Sequence, residues 1–445
     1  MQELRRALPT SNERLKNFKS ILTTPDQMEK IISNELQTGV GLLPGKGLYI
    51  TTANPDVAYQ VVKNSAWERA SIQKAAKNFA GIALTQDDKR WQQMRQLING
   101  PLSPKQIPNY LDDIFSITEN KISQWPKENL GKFPLKKQMQ NLVGEIATKT
   151  LIGGVKEVQE LSQDIAWVIM NGLSIEGARM MLPRPIKALG QLVPGAKEYD
   201  KRLTKVHQRI GELLDDSGGK EDQGLLSTFA RERKAGKITR DEAIREVVGV
   251  FAAAFETTAT VDTWALAAIA QNPEVYAKLQ EEAEIVLGNK DLTLSQKAKQ
   301  LVYSRQCFDE SARIWPPAWR QMRQANKDIE LQVGENKINV PKDTVIVVLT
   351  YMLQCNPKIW GEDADKFDPE HSTAENIIKI ETEHPGAHMP FNAGKHFCPG
   401  MPLASIEGPV ILSEFARHNS YEELNAMIPV FPERVYGSVL SPNMK

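Results

Sequence analysis

Cys398 is the residue whose type and setting are best suited to chemistry, and it lies in the loop FNAGKHFCPG at residues 391–400. The chain has only three cysteines. A helix is predicted directly after the loop, in PGMPLASIEGPVILSEFARH, and the N–H groups at a helix N-terminus favour thiolate over thiol. Gly394 and Gly400 carry no side chain that would block a flat group lying against the loop. A lone thiolate here could be a nucleophile, a zinc ligand or the axial ligand of a haem iron.

The residues near Cys398 in the sequence allow these three chemistries to be compared. Zinc is a poor fit, because a structural site needs about four ligands and only His396 is close. A cysteine nucleophile needs a base, which His396 could supply, but nothing else in the sequence supports hydrolysis. Haem ligation by a thiolate, an arrangement that favours O–O cleavage, also remains. The loop alone leaves all three open.

A long buried helix is predicted to begin at Thr239, where TRDE has the spacing of a capping box. It should run for about thirty residues, until Asn272-Pro273 stops it. Residues 248–255 are apolar around the whole circumference of the helix, which requires burial on every side. We expect this helix to be the central element of a large helical domain.

The polar residues Glu256, Thr257 and Thr258 interrupt the apolar run at the centre of that helix. Burying an acid and two hydroxyls costs free energy unless each finds a partner. Thr257 could bond back to a carbonyl one turn earlier while Glu256 faces a solvated groove. The other interpretation is that the helix faces a ligand at this polar break.

Two weaker residue pairs lie on other predicted helices. Glu310 and Arg313, in YSRQCFDESARIWPP, are three apart and can meet on one face, and their apolar setting indicates partial burial. Trp91 and Arg95, in DDKRWQQMRQ, are four apart, and such a pair usually only packs together. Neither pair indicates a function by itself.

Most of the chain has helical spacing, and strand signals are few and short. Residues 47–55 predict a strand that ends in a turn, and residues 329–352 predict a hairpin followed by another strand. No internal repeat and no long Pro/Gly linker divides the chain. We therefore expect a mainly α fold with a minor β region, forming a single domain over residues 1–445 in which residues 1–45 are a peripheral N-terminal segment.

The composition is that of an ordinary globular protein, with 41% hydrophobic and 25% charged residues. Lys+Arg and Asp+Glu both number 55, which argues against wholesale nucleic-acid binding. The cysteines are widely spread, a pattern that indicates a reducing compartment instead of a disulfide framework. Since no signal-peptide core and no apolar run of about 18 residues is found, we expect a soluble, cytoplasmic protein.

The cysteine loop and the weaker motifs together resemble the cytochrome P450 family. FNAGKHFCPGMPLASIE is similar to the family's haem-binding signature, and AAFETT at residues 253–258 is similar to the motif of its oxygen-activating helix. ESAR at 310–313 and WQQMR at 91–95 are similar to its Glu-x-x-Arg and Trp-x-x-x-Arg motifs. The likeness is dense from residue 240 to residue 410 and thin before residue 80. The stretches PPAWRQMRQANKDIEL, VPKDTVIV and WGEDADKFDPEH also follow the family's C-terminal half closely. Any one of these five likenesses is weak, but five in order are a strong indication.

The resemblance implies a haem b cofactor with Cys398 as the axial thiolate and only metal ligand. Glu256 and Thr257 would be the catalytic pair that delivers protons to dioxygen. The other implied cofactor-binding residues are Trp91, Arg95, Arg323 and His396 at the propionates, Phe391 beside the thiolate, and Gly394, Gly400, Ala404 and Ala253.

A structural role is implied for Glu310 and Arg313, which would tie their helix to the chain before the haem loop. His371 stands where the family generally has an arginine that completes this triad, and a neutral histidine would weaken the network. Gln354 and Asp343 also depart from the family's usual residues.

The implied reaction is monooxygenation, in which dioxygen and two externally supplied electrons hydroxylate or otherwise oxidise a lipophilic small molecule. Because no flavin or iron–sulfur segment is found, the electrons would come from a ferredoxin or flavodoxin with its NAD(P)H-dependent reductase. Two alternatives stay open. One is a haem-thiolate isomerase, lyase or peroxide-driven peroxygenase, against which the Glu256–Thr257 pair argues. The other is a non-enzymatic haem sensor or binding protein.

The resemblance also implies a substrate pocket that is apolar and rich in methionine, adaptable to a bulky lipophilic molecule. No charged anchor for a carboxylate stands out, and only Arg179 and Arg184 stay open for that role. The residues expected to line the pocket are Phe79, Trp167, Met170, Met180, Met181, Phe251, Phe255, Ala318 and Trp319.

Overall fold

The computed structural model describes residues 38–42, 48–70, 81–153, 158–181, 190–217, 224–333 and 335–428. Contacts divide the chain into two compact units, each described by itself below. The mixed unit comprises residues 1–70, 309–398 and 432–441, and the helical unit comprises residues 71–308, 399–431 and 442–445. The single-domain expectation stays a prediction.

The fold is mainly α with a minor β region, as the sequence predicts. The helices are α1 Pro55–Lys63, α2 Gly81–Thr85, α3 Lys89–Asn99, α4 Leu111–Ile122, α5 Leu135–Ala147, α6 Val158–Met181, α7 Ala196–Asp216, α8 Leu225–Lys234, α9 Arg240–Ile269, α10 Pro273–Gly288, α11 Leu294–Gln300, α12 Val302–Ile314, α13 Thr350–Gln354, α14 Pro357–Trp360, α15 Ala374–Glu383, α16 Met401–His418 and α17 Tyr421–Met427. The strands are β1 Thr38–Leu42, β2 Leu48–Thr52, β3 Trp67–Arg69, β4 Arg320–Ala325, β5 Ile329–Val333, β6 Asn336–Val340 and β7 Val345–Leu349. Among the described residues, none of the helices combines the length and apolarity that a bilayer crossing requires.

Helix α9 is the central element of the helical unit, and its start follows from the capping box. The Thr239 hydroxyl accepts from the Glu242 N–H, while the Glu242 carboxylate accepts from the Thr239 N–H. The helix has 30 residues and ends at Ile269, three residues before the predicted stop. The last turn tightens there, because the Asn272 N–H bonds to the carbonyl of Ile269, three residues back.

The packing of α9 explains its apolar composition. From Glu246 to Ile269 every residue is buried except Ala253, Ala254 and Thr257. Helices α2, α5, α7 and α16 all pack against α9 within the helical unit. Ala253 and Ala254 lie four and three residues before Thr257, so each of them neighbours Thr257 on the helical surface.

The mixed unit contains a five-stranded sheet in the order β1-β2-β7-β4-β3 and a separate β5–β6 hairpin. Among the pairings of the described strands, β2–β7 is parallel and the others are antiparallel. All five residues of β7 are buried, which agrees with their β-branched run at the sheet centre. The predicted strand and hairpin are confirmed, although Gly334 of the predicted turn lies outside the described residues. Residues 38–42 of the N-terminal segment form the edge strand β1.

Candidate functional site

Cys398 lies in the mixed unit at the end of a loop that its own backbone closes. The Cys398 N–H donates to the Phe391 carbonyl oxygen at 2.9 Å. Between them, Gly394–His396 form a short 3-10 turn in which His396 is buried, whereas Cys398 and Phe391 are half-buried. The loop therefore presents the thiol at a set position, three residues before the first residue of α16.

The structure requires glycine at one of the two loop positions, Gly394, but not at the other, Gly400. Gly394 has a left-handed φ of 64°, and a Cβ there would lie 2.2 Å from the Val62 carbonyl oxygen near the end of α1. Glycine is thus required at position 394 because the loop backbone lies close to the backbone of α1, in addition to any clearance for a flat group. Gly400 has φ −80°, which any residue adopts, so its backbone conformation does not require glycine. Clearance for a ligand remains the expectation for Gly400.

Arg323, on strand β4, is 2% exposed and holds the start of the same loop. Its guanidinium donates to the Met322 carbonyl oxygen at 3.0 Å and to Asn392 Oδ1 at 3.2 Å. Asn392 adopts a left-handed φ of 63°, and its Oδ1 also accepts from the Ala393 N–H at 2.7 Å. Arg323 is therefore a buried cation attached to the cysteine loop.

Glu310 and Arg313 form a fully enclosed ion pair on α12, since both side chains are 0% exposed. The sequence predicted only partial burial. Arg313 donates to both oxygens of Glu310, at 2.6 and 2.7 Å, and to the carbonyl oxygens of Gln354 and Ala364. Burial alone would raise the pKa of Glu310, but the hydrogen bonds from Arg313 and His371 outweigh it and lower that pKa.

His371 completes this network within the mixed unit. Its Nδ1 lies 3.1 Å from Glu310 Oε1, and its Nε2 lies 3.4 Å from Asp363 Oδ1. The two carboxylates, which can only accept, favour a protonated ring, whereas the Arg313 guanidinium, 3.3 Å from Nδ1, opposes it. The hydrogen bond to Glu310 raises the pKa of His371, against the opposing effect of burial.

Trp91 and Arg95 lie on α3 in the helical unit, where Arg95 is half-buried. The Trp91 indole N–H donates to the Ala83 carbonyl oxygen of α2 at 3.1 Å. A hydrogen bond from this N–H to a haem propionate would have to replace the bond to Ala83.

Sequence reasoning missed Glu246, whose carboxylate accepts from the N–H groups of Ile82 and Ala83 and so holds the start of α2. Its position directly before the apolar run that begins at Val247 was the available signal.

The polar break of α9 places a buried acid beside an accessible hydroxyl. Thr257 is exposed, and its hydroxyl donates to the Ala253 carbonyl oxygen at 2.7 Å, the predicted back-bond. Glu256 is only 6% exposed, so the expectation that it faces a solvated groove is wrong. Burial raises the pKa of Glu256, while Lys136 and a hydrogen bond from Gln140 oppose that rise. No sequence pattern indicated that Gln140 would contact Glu256.

The expected substrate residues that the structure describes are spread over both units. Phe251 and Phe255 are buried against each other on α9, with ring centroids 5.5 Å apart. Trp167 packs between α6 and α7, with the Arg202 guanidinium 5.0 Å from its ring centroid. In the mixed unit, Ala318 is exposed and Trp319 is half-buried.

Other members of the expected pocket are described only in part. Phe79 and Arg184 lie outside the described residues, as do the side chains of Met170, Met180 and Met181 on α6. Arg179 pairs with Glu176 at 3.0 Å and Asp200 at 2.7 Å, so its charge is already matched by two carboxylates.

The residues present fit a haem group in each unit taken separately. In the helical unit, Ala253 and Ala254 give an otherwise buried helix a small, accessible, apolar side, which suits a flat macrocycle. In the mixed unit, the partly exposed Cys398 thiol is a soft ligand for iron, and the buried Arg323 is a cation that can pair with a carboxylate. Ala404 is half-buried on the second turn of α16.

The chain is similar to known proteins over most of its length. A family model described as cytochrome P450 matches residues 32–443. The chain is 26% identical to a probable cytochrome P450 of Drosophila melanogaster over 394 residues, which cover 84% of this chain and 78% of that protein. It is 27% identical to cyclooctat-9-en-7-ol 5-monooxygenase of Streptomyces melanosporofaciens over 374 residues, covering 82% and 78%. Cyclooctatin synthase of the same organism is 24% identical over 379 residues, with the same coverage.

Proposed function

This chain belongs to the cytochrome P450 family, and on that premise we propose that it oxidises a lipophilic small molecule with dioxygen and two electrons from a partner protein. The protein is a monooxygenase that binds haem b through a cysteine thiolate. The observation that carries the proposal is the polar break of α9, where the buried Glu256 adjoins the exposed Thr257. The substrate class and the electron source are the proposed parts.

We assign the thiolate to Cys398, since it is partly exposed in a loop closed by its own N–H. When bound, haem supplies the iron at which dioxygen is reduced. Arg323, His396 and Arg95 are assigned to the propionates, because a cation or N–H donor pairs with a carboxylate. Trp91 is assigned there too, with its indole N–H moved from the Ala83 carbonyl oxygen to a propionate.

Glu256 and Thr257 are assigned to proton delivery. A carboxyl whose pKa is raised by burial is protonated in a larger fraction of molecules near neutral pH, so it can donate a proton there. The Thr257 hydroxyl donates to the Ala253 carbonyl, which leaves its oxygen lone pairs able to accept a hydrogen bond from a bound ligand or water. Its exposure on the accessible side of α9 allows contact with a bound ligand.

Replacing Thr257 with alanine tests the assignment. We expect Thr257→Ala to consume electrons and dioxygen but to divert most of them from product to peroxide or water. Thr263→Ala is a matched control, because Thr263 makes the same back-bond, to the Ala259 carbonyl at 2.6 Å, but is buried. Product formed per electron should stay at the wild-type value in Thr263→Ala. Unchanged coupling in Thr257→Ala would refute the proton-delivery role.

A ferredoxin or flavodoxin with its NAD(P)H-dependent reductase is the proposed electron source, supported by the likeness to bacterial relatives. A cytoplasmic location is proposed from the small number and wide spacing of the cysteines. Reconstitution with each donor tests the electron source. Product formed with peroxide but with neither donor would contradict it.

A lipophilic substrate is proposed from the apolar residues that the family resemblance assigns to the pocket. One relative is named as a monooxygenase of an alcohol, cyclooctat-9-en-7-ol. A ligand screen that follows the spin state of the haem iron tests the substrate class, because a bound substrate displaces water from the iron. The proposal would be contradicted if only charged, water-soluble compounds, and no lipophilic ones, shifted the spin state.

A further inference from the structure

Gln140, on helix α5, makes a direct contact with the acid at the polar break of α9. Its side-chain Nε2 donates to Glu256 Oε2 at 2.8 Å. We propose that Gln140 is a positioning residue that holds the Glu256 carboxyl in one orientation and links it to the surface of the helical unit. The inference rests on the proposed role of Glu256 in proton delivery.

The packing of α5 against α9 sets the position of Gln140. Helix α5 buries Met139, Leu142 and Val143, and it packs along α9. Gln140 is half-buried and follows Met139, so it lies at the margin of this apolar face. An amide at such a margin can reach a buried carboxylate while part of it stays in contact with water.

The two oxygens of Glu256 are held differently. Oε2 accepts the Gln140 hydrogen bond, whereas Oε1 is buried and accepts no hydrogen bond from any residue that the structure describes. A carboxyl held through one oxygen has a defined orientation, and its other oxygen is not engaged by a hydrogen bond from the described residues. Without Gln140, rotation about the terminal torsion of Glu256 would exchange the two oxygens, because that torsion is broad.

A charge lies on the same surface of α5, one turn before Gln140. Lys136 is four residues earlier and half-buried, so it neighbours Gln140 on the helix. Burial raises the pKa of Glu256, and the charge of Lys136 and the hydrogen bond from Gln140 both lower it. These are the two groups that act against burial at this carboxyl, and both belong to α5.

Infrared titration of the Glu256 carboxyl in the resting, haem-loaded protein tests the contact without turnover. The band is assigned by its loss in Glu256→Gln. Gln140→Met keeps the side-chain length but removes the donor, so the band should titrate at higher pH than in wild type and should broaden. Gln140→Asn keeps the amide, but its shorter side chain cannot reach Glu256, so it should shift and broaden the Glu256 band in the same way. Lys136→Met should raise the titration midpoint without broadening the band.

Matched controls lie on the same helix. Gln138 is half-buried and Lys137 is exposed, and Gln138→Met and Lys137→Met should leave the Glu256 band at its wild-type position and width. An unchanged band in Gln140→Met, or an equal shift in Gln138→Met, overturns the proposal. Thermal unfolding of each variant checks that the substitutions leave the fold intact.

Coupled turnover separates this inference from the proposed function. Gln140→Met should lower the amount of product formed per electron about tenfold. This loss is smaller than the full rate contribution of a correctly positioned proton donor, because Glu256 itself is still present. If Glu256→Gln remains coupled, the proton-delivery role of Glu256 is wrong, whatever the infrared band of Gln140→Met shows. If Glu256→Gln uncouples but Gln140→Met has both a wild-type band and wild-type coupling, only the role of Gln140 is wrong.

Discussion

Gln354, in the mixed unit, offers a test of how the chain before the cysteine loop is held. Its side chain is 0% exposed and makes three hydrogen bonds. Nε2 donates to the carbonyl oxygens of Ala312 at 3.3 Å and Arg313 at 2.8 Å, near the end of α12. Oε1 accepts from the Met389 N–H at 2.9 Å. One amide therefore joins the end of α12 to the segment that leads to Cys398.

Replacing Gln354 with leucine keeps the approximate volume and removes all three bonds. Each hydrogen bond contributes about 1 kcal/mol net, and the stranded, buried Met389 N–H adds a penalty of about 1–3 kcal/mol. We expect Gln354→Leu to lower the free energy of unfolding by about 4–6 kcal/mol. Gln354→His should cost less, since a neutral imidazole keeps one donor and one acceptor.

Gln321 provides the matched control, because it is a second buried glutamine of the same unit. It is 6% exposed, its Nε2 makes one long contact with Thr350 Oγ1 at 3.4 Å, and its Oε1 has no hydrogen-bond partner among the described residues. Gln321→Leu removes a carbonyl oxygen that is already unsatisfied, so it should cost less than about 1 kcal/mol or stabilise the fold.

Thermal unfolding of the haem-loaded variants measures the contrast. The Tm of Gln354→Leu should fall by several degrees, while that of Gln321→Leu should stay near the wild-type value. Loss of the thiolate-type carbon monoxide spectrum in Gln354→Leu would show that the cysteine loop is disturbed as well. Equal Tm values for the two leucine variants would refute the hydrogen-bond reasoning.

Two further predictions concern the network and the loop. The pKa of His371 is raised in the fold, so its stabilisation is fully present below pH 6.5 and is lost as pH rises through the raised value. The stability difference between wild type and His371→Gln, measured by unfolding at several pH values, should shrink as pH rises, by at most about 1.4 kcal/mol per pH unit; a constant difference would contradict this. Gly394→Ala should lower the Tm even without haem, because of its left-handed φ and the contact with Val62. Gly400→Ala should leave that Tm unchanged and reduce only haem content, and equal Tm losses would be evidence against the distinction.

Much of the helical unit follows from local sequence patterns. The Thr239–Glu242 capping box sets the start of α9, and the apolar run after it requires burial on every side. The Thr257 back-bond was predicted from residue type and position, because a threonine hydroxyl in a helix reaches the carbonyl four residues earlier. The central strand β7 likewise follows from its β-branched composition.

The partners of the polar residues depended on the tertiary structure. Gln140 and Glu256 are 116 residues apart, and nothing in their own segments indicates that they meet. Glu256 is buried because α5 packs over it, which local spacing cannot reveal. The same applies to Gly394, whose requirement for glycine comes from the backbone of α1.

The sequence by itself determined the periodicity of the elements, the cysteine loop and the order of motifs that identifies the family, since these depend on residues close along the chain. Only the tertiary structure decided which side chains face one another, and therefore which acids are buried and which cations and amides meet them. The physical reason is that desolvation and hydrogen bonding depend on every group within a few ångströms, and most of those groups come from distant segments.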